Sequence, residues 1–401
     1  MIYIIKYIYM NKYSKIAKKY IENIKNENRY RKFIELNSIS GSTYKFNNKL
    51  IINWSSNDYN RSIHNLDLIN AVNNFIKKNG IGSGGSRNIS GTTPQHRRLE
   101  NKVALLHKKD NGLLFNSGYL ANLSTIESLG KLFPESTIYS DQDNHSSIIK
   151  GIKLSKCKKV IFPHNNMNYL EDKLKLNNNK QNIIIVESLY SMDGSITNFN
   201  DLIYLKKKYN ALTYIDEIHT VGLYGKNGGG LVEHFNLQKH FDIIMGGFGK
   251  GFGTIGGYIT GEKYLVDAIR STASGFIFTT SIPPYLAFAS LMSIKNNKKN
   301  LDKNKLLRKK NILYFKNKIK NSKIQLIENN FEYSHINSIL IGDPKKTNKL
   351  SEILLEKHNH YLQPINYPTV PKGTERFRVC ITHDHTFDMI DKLINDINNI
   401  I

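Results

Sequence analysis

Short apolar runs alternate with longer amphipathic stretches through the middle of this 401-residue chain, and this alternation constrains its fold most strongly. Several runs are apolar without interruption, which is typical of strands buried on both faces of a mostly parallel sheet. Strands that alternate with helices predict a large, doubly wound α/β domain with right-handed crossovers. The predicted strands are NGLLFNSGY (111–119), STIYSD (136–141), KKVIFPH (158–164), NIIIVES (182–188), ALTYIDE (211–217), DIIMGGF (242–248) and GGYITG (256–261).

The two ends of the chain differ from this middle part. Residues 1–50 are predicted to form a short helical and extended N-terminal segment, whose Lys/Asn-rich helix over 1–30 is expected to pack on the body of the protein. Residues 51–290 then form the large α/β domain. Residues 291–401 are predicted to form a smaller α+β domain, because a long lysine-rich helical stretch is followed there by mixed strand and helix patterns.

The chain has a net charge of +24, but this charge is only weak evidence for nucleic-acid binding. Only 10 of the 57 basic residues are arginine, and the lysines are spread along the whole chain, whereas base readers and phosphate clamps rely on clustered arginine. No apolar run is long enough to span a membrane. The 2 cysteines cannot form a disulfide framework or a cysteine-rich metal site. We expect no nucleic-acid partner, no membrane partner and no metal.

Polar residues follow several predicted strands at their carboxyl ends, where doubly wound sheets bind ligands. Lys250 lies among glycines after DIIMGGF, and its amine could hold an aldehyde cofactor as a Schiff base. Asp216 ends the strand 34 residues earlier, and a carboxylate there could keep a pyridine nitrogen protonated. Each residue also has a plainer interpretation, since Lys250 could be a solvated lysine and Asp216 a helix cap.

Other candidates are weaker when taken singly. His219 could contact a cofactor oxygen and His145 could stack on a flat ring, although isolated histidines are more often structural. The segment NSGYLAN (116–122) opens a helix whose free N–H groups suit a phosphate. Arg31 and Arg378 have the fork geometry that carboxylates prefer, although each could equally form a surface ion pair.

Six longer stretches occur in order along the chain: GSGGSRNISGT (82–92), IYSDQDNHSSIIKGI (138–152), VESLYSMDGSI (186–196), ALTYIDEIHTVGLYG (211–225), SGFIFTTSIPP (274–284) and QPINYPTVPKGTERFR (363–378). Together they resemble the α-oxoamine synthases, a family of fold-type I pyridoxal-phosphate transferases, and the likeness runs from about Arg29 to the C terminus. Within the family, RNISGT and INYPTVPKGTE resemble the branch that joins glycine to succinyl-CoA. The resemblance therefore implies an acyltransferase that uses pyridoxal 5'-phosphate.

The resemblance also implies a role for individual residues. Lys250 would hold the cofactor covalently, Asp216 would pair with its ring nitrogen, His219 would contact its ring oxygen and His145 would stack on the ring. The residues implied at the cofactor are Ser117, Gly118, Tyr119, His145, Ser191, Asp216, His219, Lys250, Thr279 and Thr280. Among them, Thr279 and Thr280 would reach the cofactor of a neighbouring subunit, so a homodimer would share its active sites. Those implied at the substrates are Asn57, Ser191 and Arg378 for glycine, and Arg31, Ser86 and Asn88 for the succinyl carboxylate.

Some alternatives stay open. A sister enzyme would use acetyl-CoA with glycine or pimeloyl-CoA with alanine, and an inactive relative would keep the fold alone. Animal members of the family carry Cys-Pro motifs that respond to haem, and neither cysteine of this chain is followed by proline. We therefore expect a bacterial-type cytoplasmic enzyme, and a mitochondrial matrix location stays open. The family usually has threonine at the positions of Gly247 and Ser86. The missing hydroxyl predicts that Gly247→Thr tightens cofactor retention.

Overall fold

The fold is built around one large sheet and two small ones, in a computed structural model that describes residues 11–177 and 181–401. The strands are β1 (Asn37–Ser40), β2 (Thr43–Phe46), β3 (Lys49–Asn53), β4 (Asn111–Phe115), β5 (Thr137–Asp141), β6 (Lys158–Phe162), β7 (Asn182–Glu187), β8 (Leu212–Asp216), β9 (Ile243–Gly247), β10 (Gly257–Gly261), β11 (Leu326–Ile327), β12 (Ile336–Leu340), β13 (His360–Tyr361), β14 (Pro364–Ile365) and β15 (Arg376–Cys380).

Helices cover the faces of these sheets. They are α1 (Lys12–Asn26), α2 (Leu66–Asn79), α3 (Pro94–Leu106), α4 (Gly118–Leu132), α5 (Ser146–Ser155), α6 (Met167–Lys175), α7 (Phe199–Lys208), α8 (Gly230–His234), α9 (Lys263–Thr272), α10 (Ser274–Ile277), α11 (Pro284–Lys320), α12 (Pro344–His358) and α13 (Phe387–Ile400). In the described part of the chain, none of them has the length and apolar character that crossing a lipid bilayer requires.

The large sheet has seven strands in the order β4-β10-β9-β8-β7-β5-β6. Its strands from β9 to β6 are all parallel, and β10 runs antiparallel to both β9 and β4. Strands β5, β7, β9 and β10 are buried along their whole length, which explains the continuous apolar runs of β7 and β9. All seven predicted strands are present, so the prediction of a mostly parallel α/β domain is confirmed.

The smaller sheets belong to the α+β part of the chain. Strands β11, β12, β15 and β14 form an antiparallel sheet, and its residues Ile339, Phe377 and Val379 pack in one apolar cluster with Ile312 and Phe315 of α11. At its other end, α11 packs Ala287 and Ile294 against the large domain. One continuous helix of 37 residues thus joins the two units.

The predicted boundaries at residues 51 and 291 stay a prediction, but the structure shows how the units join. Helix α11 runs through residue 291 without a break. Strand β3 pairs with β2 on one side and with β13, from the C-terminal part of the chain, on the other. Trp54, just after β3, lies in the C-terminal apolar cluster. The N-terminal strands are therefore tied to the smaller unit.

Helix α1 departs from the expectation for the N-terminal segment. The predicted helix over 1–30 is observed as Lys12–Asn26, and residues 1–10 lie outside the described part of the chain. None of the residues of α1 is buried, and Tyr13 and Tyr20 are exposed. The expectation that this helix packs on the body of the same chain is therefore wrong. Its apolar residues, among them Tyr13, Ile16 and Tyr20, recur three and four residues apart and so lie on one face of the helix, but the described part of the chain does not bury that face.

Candidate active site

The carboxyl ends of the central parallel strands gather the predicted catalytic residues. Glu187 ends β7, Asp216 ends β8 directly beside it, and Lys250 follows β9 by three residues. Because parallel strands all end at the same edge of the sheet, side chains far apart in sequence meet there. The sequence-based expectation of a polar cluster at this edge is confirmed.

Lys250 and His219 are in direct contact. The Nζ atom of Lys250 lies 2.5 Å from Nε2 of His219. Burial and the neighbouring Arg378 lower the pKa of Lys250 to about 8, although the charges of Asp216 and Glu187 act in the opposite direction. Burial and the charge of Lys250 hold the pKa of His219 well below its usual value. The pair therefore offers a partly neutral amine beside a neutral imidazole near physiological pH.

Tyr59 links this pair to Arg378. Its side chain is fully buried, and its hydroxyl lies 2.8 Å from Nδ1 of His219 and accepts a hydrogen bond of 2.7 Å from Nη2 of Arg378. The same hydroxyl lies 3.0 Å from Oδ1 of Asn57. Burial raises the pKa of Tyr59, so it stays protonated and fixes the orientation of the His219 ring.

Arg378 is held by three contacts that leave part of its guanidinium available. Its Nε donates to the carbonyl of Ser191 at 2.6 Å, and Nη1 donates to Oδ1 of Asn57 at 3.1 Å. The third contact is the bond from Nη2 to Tyr59. A guanidinium has five N–H groups, so one N–H on each terminal nitrogen is left over. Two such groups in fork geometry suit a carboxylate.

Asp216 is buried and receives two neutral hydrogen bonds. Nδ2 of Asn122 donates to Oδ2 at 2.7 Å, and the backbone N–H of Ile218 donates to Oδ1 at 2.8 Å. In the described part of the chain, no cation lies within ion-pair distance of Asp216. Its negative charge is stabilised by dipoles and remains available to a cationic partner.

His145 lies at the N-terminus of α5 with its ring exposed to the site. Its backbone N–H donates to Oε1 of Glu187 at 2.5 Å. The ring of Tyr119 meets the His145 ring edge-on, with the centroids 6.2 Å apart. Burial raises the pKa of Glu187 well above its usual value, and the charge of Asp216 raises it further. His145 is thus fixed by its backbone while its ring face stays open.

The predicted phosphate-binding segment begins α4. Ser117 caps this helix, and its Oγ accepts a hydrogen bond of 3.1 Å from the N–H of Leu120. Gly118 is packed closely enough that a Cβ atom there would lie 2.3 Å from Cδ1 of Ile218. The first turn of α4 carries no acidic residue, so its free N–H groups can receive an anion.

Five predicted residues lie outside the hydrogen-bond network of Lys250, Asp216 and His219, although the backbone carbonyl of one of them, Thr280, accepts a hydrogen bond of 2.9 Å from Nδ2 of Asn116, next to Ser117. Arg31 donates to Oγ1 of Thr369 at 2.9 Å, and Ser86 pairs with Thr280 in an isolated antiparallel bridge. Among the described residues, no hydrogen bond joins Lys250, Asp216 or His219 to any of these five: Arg31, Ser86, Asn88, Thr279 and Thr280. Their roles stay predictions, and the bridge shows that the loop that carries Ser86 and Asn88 pairs with the loop that carries Thr279 and Thr280.

The structure does not accommodate Gly247→Thr as simply as the sequence suggests. A Cβ atom on Gly247 would lie 2.8 Å from Cγ1 and 2.9 Å from Cδ1 of Ile218. The Ile218 side chain thus fills the space that a threonine would need. The expectation that this substitution alone tightens cofactor retention overlooks that contact.

Sequence reasoning missed three side chains of the site. Tyr59 and Asn122 lie inside the segments NWSSNDY and NSGYLAN, and Ser147 follows His145 by two residues. The only hint in the sequence was that each of them lies within a few residues of a predicted site residue. Their hydrogen bonds connect segments far apart in the chain, and local patterns do not show such connections.

Comparison with known proteins decides the family. The model for the aminotransferase class I and II family matches residues 49–397. The 5-aminolevulinate synthase of Rickettsia felis is 44% identical over 97% of this chain and 93% of its own length. That of Rhizobium meliloti is 40% identical over 95% of both chains. This chain belongs to the 5-aminolevulinate synthase family.

A solved structure supports the fold of this 5-aminolevulinate synthase family member. A serine palmitoyltransferase variant from S. paucimobilis with bound PLP–myriocin aldimine superimposes with a TM-score of 0.88 at 25% identity, covering 97% of this chain and 98% of that one. The prediction of a fold-type I transferase is confirmed, and so is the resemblance to the family.

Proposed function

We propose that this chain is a 5-aminolevulinate synthase. It condenses glycine with succinyl-CoA and releases 5-aminolevulinate, CoA and CO2, the first step of haem and tetrapyrrole biosynthesis by the C4 route. The observation that carries this proposal is the contact between the low-pKa amine of Lys250 and His219, beside buried Asp216, in a chain 44% identical to the Rickettsia felis enzyme. Intact Lys250, Asp216, His219 and His145 argue against an inactive relative.

The site fits pyridoxal 5'-phosphate. The charge of Asp216 acts on Lys250, raising its pKa against the effect of burial, but the two side chains form no ion pair in the part of the chain described, so amine and carboxylate are neighbours without direct contact. The exposed ring of His145 faces this region, and Ser117, Gly118 and Tyr119 open α4 at one end of it. When bound, the cofactor supplies an electron sink for the pair of electrons left on the α-carbon of glycine.

Lys250 would hold the cofactor and also move the proton of glycine. An amine with a pKa near 8 is neutral in a substantial fraction at physiological pH and can accept a proton. His219 keeps the amine in place at 2.5 Å, and Tyr59 keeps His219 in one tautomer. Asp216 would hold a positive charge on the ring nitrogen, because its two donors are neutral and leave its charge uncompensated.

Glycine would be oriented by Arg378 and its neighbours. The two spare N–H groups of Arg378 would bind the carboxylate of glycine, and Asn57 and Ser191 would line the same side. Arg378 is 7% exposed, and a carboxylate bound there is held away from water, which strengthens the contact. This geometry fixes the α-carbon near Lys250, so that proton transfer is intramolecular.

Succinyl-CoA would be received by the residues outside the cluster. Arg31, Ser86 and Asn88 would bind the succinyl carboxylate, and Thr279 and Thr280 would reach the cofactor of a second subunit in a homodimer that shares its sites. The exposure of Phe278 (84%) and Ile89 (86%) beside these residues supports a partner surface there. We place the enzyme in the cytoplasm, as its bacterial relatives suggest.

The test is product formation by purified protein loaded with pyridoxal phosphate. Incubation with glycine and succinyl-CoA should release CoA and form 5-aminolevulinate, and Lys250→Ala should abolish both. Borohydride reduction followed by peptide mapping should fix the cofactor on the peptide that contains Lys250. CoA release only with acetyl-CoA, or only with alanine and pimeloyl-CoA, would assign a sister activity instead.

A further inference from the structure

Two buried side chains with no assigned role lie between His145 and Asp216. Asn122 is on α4 and is 2% exposed, and Ser147 is on α5 and is fully buried. Nδ2 of Asn122 lies 3.0 Å from Oγ of Ser147. We call these two residues the Asn122–Ser147 bridge.

Every polar atom of Asn122 has a partner that dictates its orientation. The hydroxyl of Tyr214 lies 2.7 Å from Oδ1, while Nδ2 reaches Asp216 at 2.7 Å and Ser147 at 3.0 Å. A carboxylate only accepts hydrogen bonds, so the amide nitrogen must face Asp216 and the amide oxygen must face Tyr214. Both amide N–H groups are then used. Asparagine therefore suits this position, because aspartate would place a second acceptor against Asp216.

The direction of these bonds determines what Ser147 offers to His145. Oγ of Ser147 accepts from Asn122, so its own proton is available to Nδ1 of His145 at 2.7 Å. The backbone N–H of Ser147 also points to Nδ1, at 3.2 Å. An imidazole nitrogen that receives two donors carries no proton of its own. The single proton of a neutral His145 is then on Nε2.

We propose that Asn122 and Ser147 are positioning residues that hold His145 neutral, with its proton on Nε2, and fix the Asp216 carboxylate through the same hydrogen-bond chain. This proposal rests on the proposed function, because it assigns both ends of the chain to the cofactor. A cofactor that carries a positive charge would then meet the Asp216 carboxylate as its partner and an uncharged imidazole at His145. A protonated His145 would repel that positive charge and would lose both donors to Nδ1.

The charged surroundings of His145 agree with this assignment. Five titratable groups of the described residues surround it: Asp216 on β8, His219 just after β8, Lys250 beyond β9, Glu187 on β7 and Tyr119 on α4. Partial burial and Lys250 lower the pKa of His145, and Asp216 opposes them without reversing the direction. The Asn122–Ser147 bridge adds the reason why the proton leaves Nδ1 first.

The test uses Ser147→Ala and Asn122→Asp in the full-length protein, with Ser128→Ala as the matched control. Ser128 is a fully buried serine on the same helix as Asn122, and its hydroxyl donates to the carbonyl of Ser124. The two measurements are the Kd for pyridoxal phosphate, by equilibrium dialysis, and the pH titration of the visible absorption of the loaded enzyme. Circular dichroism confirms that each variant is folded.

We expect Ser147→Ala to weaken cofactor binding by about tenfold and to move the His145 titration to higher pH, since Nδ1 loses a donor and becomes easier to protonate. Asn122→Asp should bind the cofactor more weakly still at pH 8 and recover as the pH falls, because the new carboxyl then takes up the proton that replaces the amide donor. Ser128→Ala should change neither quantity.

The proposal is overturned if folded Ser147→Ala keeps both the Kd and the titration of the wild-type protein. Ser147→Ala decides this point even if Asn122→Asp does not fold, because removing one hydroxyl leaves the helix backbone intact. Failure of the proposed function looks different. Wild-type protein would then bind the cofactor and show the shift in Ser147→Ala, but would not form 5-aminolevulinate.

Discussion

The amine of Lys250 lies 2.5 Å from Nε2 of His219, and no carboxylate lies within ion-pair distance of that amine in the described residues. Burial without an acidic partner lowers the pKa of a lysine, so a larger fraction of its amine is neutral than in water. His219 is in turn bonded to Tyr59, so the amine faces a ring of fixed orientation. This arrangement prepares Lys250 to react with an aldehyde and to accept a proton.

The first prediction concerns the pH dependence of cofactor capture by the cofactor-free protein. The pKa of Lys250 is lowered to about 8, and only the neutral amine attacks an aldehyde, so capture should quicken as the pH rises. We expect an increase of about tenfold between about pH 7 and pH 9, followed by a plateau. Stopped-flow absorbance measures the rate. A rate that keeps rising tenfold per pH unit above pH 9 would mean that the amine has its ordinary pKa.

The second prediction concerns Arg378→Lys. Lysine cannot keep the contacts to Ser191 and Asn57 and also present two parallel N–H groups to glycine. We expect the KM for glycine to rise by about tenfold to hundredfold, and the KM for succinyl-CoA to change little. Steady-state kinetics with each substrate varied in turn separates the two effects.

Arg376→Lys is the matched control for this substitution. Arg376 lies two residues earlier on the same strand, and its side chain donates to the backbone carbonyls of Thr374 and Met192. Its replacement should leave the KM for glycine near the wild-type value. If both substitutions raised the KM for glycine equally, the effect would come from a general disturbance of strand β15 and not from a lost contact between Arg378 and glycine.

The third prediction concerns Gly247 and Ile218 together. Gly247→Thr alone should lower the free energy of unfolding by about 1–3 kcal/mol, because the new side chain must displace that of Ile218. The double variant Gly247→Thr/Ile218→Val should recover most of that loss of stability. It should also retain the cofactor longer than the wild-type protein during dialysis. Denaturant titration and the half-life of the holoenzyme measure the two quantities. A single variant as stable as the wild type would refute the steric argument.

The fourth prediction concerns sites shared between subunits. Lys250→Ala and the double variant Thr279→Val/Thr280→Val should both be impaired as homodimers. The two variants are unfolded and refolded together, so that about half of the dimers are mixed. If the threonines serve the partner's cofactor, each mixed dimer has one wild-type site and one site with both changes. The mixture should then recover on the order of a quarter of full activity. No recovery, from mixtures in which mixed dimers are detected, would place the threonines in the same site as their own Lys250.

Much of the architecture was predictable because the core is made of uninterrupted apolar strands. All seven strands of the large sheet, and the polar residues at their carboxyl ends, follow from local sequence patterns. The pairing of β3 with β13 did not follow, because it joins segments hundreds of residues apart. The exposure of α1 did not follow either, because an apolar helix face predicts a covered surface, and the described part of the chain leaves this face uncovered.

The site shows the same division. Lys250 and Asp216 stand out through their residue type and position, whereas Tyr59, Asn122 and Ser147 are common residues in ordinary contexts. Their importance lies in hydrogen bonds that span 160, 94 and 25 positions of the chain. No local pattern encodes such distances, and only the fold shows them.

Helix α11 packs against both units of the chain. It starts just after the loop that carries Thr279 and Thr280, extends for roughly 55 Å, and ends against the sheet that holds Arg378. Because one helix packs against both units, any movement of the small sheet relative to the large one must displace or bend this helix.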